Sequence, residues 1–120
     1  MYKLYYVSFR NNKKSGNIKR MRLIEIEPYS WELYKDSEGM YLNVLMNMSA
    51  ISWEKTICLD EQTIQQYQTQ GKGFIDGLAK RIESSQFRKD YERFYSYTDA
   101  SKEQKKEMLQ AFNEYKAKQN

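Results

Sequence analysis

Residues 40–48, MYLNVLMNM, place Met40, Leu42, Val44, Met46 and Met48 on one side of an extended chain and Tyr41, Asn43, Leu45 and Asn47 on the other. Successive side chains of a strand point to opposite faces, so the stretch predicts a β-strand whose methionine-bearing face lies in the core. The second face is polar except for Leu45, which predicts a sheet covered on one side only. Upstream, Ser30 to Lys35 (SWELYK) and the turn Asp36-Ser37-Glu38-Gly39 supply a hairpin partner. Downstream, Ile51 to Leu59 reads as a further strand with Ile51, Trp53, Ile57 and Leu59 inward. Pro28, which has no N–H for a ladder, closes the strand before this group.

At Asp60 the period changes. Asp60 is placed to N-cap a helix with Glu61 in its first turn, and Gln62 to Gln70 carries only Ile64 and Tyr67 as apolar anchors. Gly71-Lys72-Gly73 then breaks it; no strand leads into this glycine pair and GxxxxGK[ST] is absent, so it is not a phosphate loop. Phe74, Ile75, Leu78 and Ile82 form the next helical stripe, with Gly77 allowing close approach of a neighbour. Phe87, Tyr91, Phe94 and Tyr95 share one further helical face, which reads as core in preference to a base-stacking platform beside Arg88, Lys89 and Arg93. Ser101 to Gln104 forms a capping box that opens a last helix to about residue 118, burying Met108, Ala111, Phe112 and Tyr115. Its lysines read as a solvated face, salted by Glu103, Glu107 and Glu114 at helix-pair spacing.

Strands first and helices afterwards predict an α+β fold: a roughly five-stranded, mainly antiparallel sheet with the C-terminal helices packed on one face. At 120 residues the chain suits one domain over 1–120, with hairpins and sheet in 1–59 and the helical part in 60–120. The first of the five strands would be Tyr2 to Phe9, paired with Ile18 to Glu27 around the turn-rich stretch Arg10 to Asn17.

Charge is segregated along the chain. Residues 1–24 hold Lys3, Arg10, Lys13, Lys14, Lys19, Arg20 and Arg22 and no acid; residues 25–61 hold eight acids against Lys35 and Lys55. A basic hairpin of this kind concentrates an oppositely charged partner and speeds encounter, which makes Arg10, Lys13, Lys14, Lys19, Arg20 and Arg22 the candidate contacts for a partner or for phosphate. The same lysines also suit protection of a sheet edge. Tyr5, Tyr29 and Tyr41 are candidate aromatic contacts, tyrosine being frequent among interface hot spots. Met40, Met46 and Met48, with Met21 on a neighbouring strand, could form an adaptable surface, but core filling is the commoner use of such a stripe.

Composition narrows the chemistry. The chain has no histidine, which removes the commonest general base and metal ligand, and with them Ser-His and Cys-His pairs and the usual zinc sites. Cys58 is the single cysteine and reads as a small buried hydrophobe in a strand, in keeping with a reducing compartment. Glu25 and Glu27, two apart on a strand, could flank a magnesium ion but are better explained as counter-charge to the basic hairpin arm. No catalysis, no cofactor and no metal are expected. There is no run of eighteen apolar residues and no signal-peptide core at the N-terminus, so a cytoplasmic address without a membrane partner is expected.

These readings converge on a small non-catalytic protein that binds and inhibits a cytoplasmic macromolecule, with a protein as the first partner. Phage or mobile-element anti-defence proteins and toxin-immunity proteins are of this kind. The alternative is a nucleic-acid-binding protein that contacts phosphates through the basic hairpin, against which an overall charge of +4 is modest.

Overall fold

A computed structural model describes residues 20–48, 51–85 and 97–119. Among them are four strands, β1 (Arg22–Glu27), β2 (Trp31–Lys35), β3 (Met40–Met48) and β4 (Ile51–Cys58). Three helices follow, α1 (Glu61–Gln70), α2 (Lys72–Ser84) and α3 (Lys102–Gln119). The strands form one antiparallel sheet in the order β1-β2-β3-β4. The class is α+β as expected, with four described strands where five were expected. The remaining one, Tyr2 to Phe9, lies outside the described residues, as does the aromatic stretch 87–95.

The alternation in β3 does what its pattern requires. Met40, Leu42, Val44 and Met46 are all buried, and they pack with Trp31, Leu33, Ile57, Leu59, Ile75, Leu78 and Ile82 into the larger core. Of the proposed methionine surface, Met21, Met40 and Met46 are therefore core. Helices α1 and α2 cover this face of the sheet. Asp60 accepts from the Thr63 amide at 2.8 Å and caps α1. Gly71, at φ 79°, ends α1 and starts α2 with a backbone conformation that an L side chain rarely adopts.

The expectation of helices on one face is corrected. The opposite face carries a second core in which Tyr34 and Tyr41, paired across β2 and β3, pack with Met21, Met108 and Ala111. Helix α3 therefore lies on that other face, and the sheet is sandwiched between helices. Tyrosine is the reason for the difference: it counts as polar in an alternating pattern, yet its ring buries like that of an apolar residue once its hydroxyl finds a partner. Here the Tyr41 hydroxyl donates to Asp36 at 2.8 Å, and the Tyr34 hydroxyl donates to Glu32 at 3.1 Å. The capping box of α3 is formed as expected. The Gln104 amide donates to the Ser101 hydroxyl at 3.1 Å, and the Ser101 amide donates to Gln104 Oε1 at 2.8 Å. Gln104 Nε2 also donates to the Tyr41 hydroxyl at 3.3 Å, which ties the start of α3 to the sheet.

These tyrosines make the fold sensitive to alkali. Burial first, then the Glu32 carboxylate, pushes the Tyr34 phenol well above the ordinary tyrosine range; burial first, then the bond to Asp36, does the same for Tyr41. In the unfolded chain both ionise near pH ~10. Above that pH the unfolded state binds fewer protons than the folded one, so stability falls as pH rises. The slope approaches about 1.4 kcal/mol per pH unit for each tyrosine. Denaturant unfolding in steps from neutral to alkaline pH checks this. Tyr34→Phe should flatten the loss, since phenylalanine has no proton to lose.

Two smaller expectations also change. Gly77 is not a point of close approach as its place in the stripe suggests: a Cβ built there meets nothing closer than Arg81 Nη1 on the same helix, at 3.5 Å. Gly77→Ala is therefore expected to stabilise the protein by about 0.5–1 kcal/mol by removing the helical cost of glycine. A shift of the urea midpoint to higher concentration checks it. Trp53, expected inward, is 40% exposed: it sits on β4, the edge strand of the described sheet, while Met46 opposite it on β3 is buried.

Candidate interaction surface

The described site residues separate by burial. Tyr41 is 2% exposed and belongs to the second core, so it is corrected from a contact residue to a structural one. Arg20 donates to Glu114 at 2.7 Å in an exposed ion pair that clips the lead into β1 onto α3. Such a pair contributes at most about 1 kcal/mol. Arg22 opens β1 opposite Lys35, and burial together with the Arg22 charge pushes the Lys35 ammonium below its usual range. Tyr5, Arg10, Lys13, Lys14 and Lys19 lie outside the described residues.

Glu25 and Glu27 do share a face, and among the described residues their partners come from the helices; the arm residues 1–19 lie outside the described residues. The Tyr67 hydroxyl donates to Glu25 at 2.6 Å, and Lys72 donates to Glu27. A register shift between Leu23 and Glu25 contributes to this placement: Ile24 and Glu25 together oppose a single residue of β2, as in a β-bulge. Lys72 also lies 3.6 Å from Asp76 and 5.3 Å above the Trp31 ring, while Trp31 Nε1 donates to Asp76 at 2.8 Å. This cluster fastens α2 to the β1–β2 end of the sheet. Among the described residues no group of three or more acidic or cysteine side chains is placed to hold a metal ion. No described helix is long and apolar enough to cross a membrane. Cys58 is half-buried, with its sulfur 3.8 Å from Gln104 Oε1, and burial pushes its thiol up, away from the thiolate.

Tyr29 is different from all of these. Its side chain is 90% exposed, and its backbone sits at φ 64°. The Ser30 amide donates to the Glu27 carbonyl at 2.9 Å, closing a four-residue turn with Pro28 and Tyr29 in the middle. Proline holds φ near −65°, which excludes the mirror-image hairpin turns and leaves type II, whose third position normally takes glycine. A tyrosine there costs roughly 1 kcal/mol of backbone energy, and its exposed ring gains nothing from the fold in return. The sequence did carry the signal: Pro28 followed by a residue in the glycine position, between two strands.

Trp53 stands at the same end of the sheet. Trp31 pairs with Val44 and Met46 with Trp53, so two residues beyond Trp31 the turn reaches the level of Trp53. With two to three strand spacings between them, the two backbones are roughly 10–15 Å apart. No protein-family model, no curated protein and no solved structure matches this chain.

Proposed function

We propose that the chain is a non-catalytic binding domain that engages and blocks a cytoplasmic macromolecule, with a protein as its partner. The kind is that of phage or mobile-element anti-defence and toxin-immunity factors. The observation that carries this reading is Tyr29, a nearly fully exposed aromatic on a backbone conformation that favours glycine. Local backbone cost retained at an exposed ring points to a role outside the fold, and tyrosine is among the residues that dominate protein interfaces. Trp53, 40% exposed, stands at the same level of the sheet.

The nucleic-acid reading draws on charge. The described residues hold twelve bases and fourteen acids, leaving eight bases and two acids, all in residues 1–19 and 86–96. The anion-attracting part of the chain is thus set against a slightly acidic body. A pull-down from a lysate of the source cell, with and without nuclease, separates the two. Retention of one protein in both halves supports the protein reading. Loss of all bound material after nuclease treatment overturns it in favour of nucleic acid.

A further inference from the structure

We propose that the outward flank of α3 is a second docking surface, shaped for an acidic amphipathic segment of a partner protein and centred on Leu109. The expected pairing of lysines with glutamates along this helix does not form. At about 100° per residue, Glu103, Glu107 and Glu114 fall together on one flank. There Glu107 and Glu114 line an open depression of ≈ 220 Å³ with Arg20, Met21, Gln110 and Ala111. Lys118 also falls on this acidic flank, four residues after Glu114, whereas Lys102, Lys105, Lys106 and Lys116 fall on the other side, around Leu109. All four are exposed and none makes an ion pair with a described residue, although Lys116 sits 5.4 Å from the Phe112 ring.

Leu109 is 60% exposed in the middle of these charges. Lysine stems readily cover an apolar neighbour, yet here they leave it open. From Lys102 to Lys116 the flank is roughly 21 Å long, about four helical turns. An acidic helix with a leucine or similar residue between its carboxylates would meet the lysines and cover Leu109 at once. A phosphate backbone would satisfy the lysines but leave Leu109 against charge, and a long polyanion would run on over the acidic flank. A bilayer would gain too little from a single exposed apolar side chain.

The surface is independent of Tyr29: α3 is tied to the sheet through Gln104 and Tyr41, near the Asp36 turn and at the opposite end of the strands. The test uses the full chain and backbone amide NMR. The probe is a synthetic helical peptide with glutamates spaced around two leucines. Controls are a scrambled peptide of equal charge and a single-stranded DNA oligonucleotide. The amphipathic peptide is expected to shift amides along Lys102 to Lys116. Leu109→Ser and Lys105→Glu should each weaken it about tenfold, the equivalent of about 1.4 kcal/mol. Tyr29→Gly should leave it unchanged, so failure here is separable from failure of the proposed function. Both tested positions are exposed, and circular dichroism confirms that the variants fold. Equal binding of the scrambled peptide, stronger shifts with the oligonucleotide, or no movement on α3 would each overturn the proposal.

Discussion

Trp31→Ala is expected to destabilise the protein by about 3–5 kcal/mol, a large part of the 5–15 kcal/mol that holds a typical domain together. Trp31 is 1% exposed at the centre of the larger core, where it packs with Leu33, Val44 and Ile75. Its removal leaves a cavity, takes the indole donor from Asp76 and takes the ring from beneath Lys72. Those three losses fall on the same contact between sheet and α2, so they act together. Trp31→Phe keeps the packing and loses the hydrogen bond, and should cost only about 1–2 kcal/mol. Trp53→Ala, at a 40% exposed site, should cost about 1 kcal/mol or less. Urea unfolding of the three variants measures the order. A Trp31→Ala midpoint close to wild type would mean that the core has been misplaced.

Tyr29→Gly is expected to move stability and binding in opposite directions. Glycine adopts φ near +64° without steric cost, so the turn gains about 1 kcal/mol in the folded state, partly offset by the greater freedom of glycine in the unfolded chain. The net change should lie within about 1 kcal/mol of zero on the stabilising side. Partner binding should fall by at least about thirtyfold, the loss of roughly 2 kcal/mol that marks a hot-spot side chain. A ring that served only the fold would give the reverse pattern. Urea unfolding and titration of the captured partner read the two effects separately.

Much of the fold was legible in local signals. The alternation of residues 40–48, the Asp36-to-Gly39 turn, the Asp60 cap, the Gly71 break and the Ser101–Gln104 box each rest on a short-range rule, and each was found where expected. What was not legible depended on contacts between distant segments. Tyr41 reads as a position on the polar face of the strand, and the second core it forms with Tyr34 depends on the cover of α3, which no local pattern shows. Trp53 looks inward by period, but its place on the edge strand β4 leaves it 40% exposed while Met46 opposite it is buried. Glu25 and Glu27 read as counter-charge to nearby bases, and local sequence gives no sign of the partners Tyr67 and Lys72, which come from helices some forty residues on. Among the candidate contacts, burial set Tyr29 apart from Tyr41, which sequence had ranked equally.

The most direct test of the binding-domain account is capture of a partner by the wild-type chain and by Tyr29→Gly in parallel, each with nuclease added and with folding confirmed. The account predicts one protein retained by the wild type and lost, or greatly reduced, with the folded variant. Equal retention by both chains, or no protein on the nuclease-treated wild type, would contradict it.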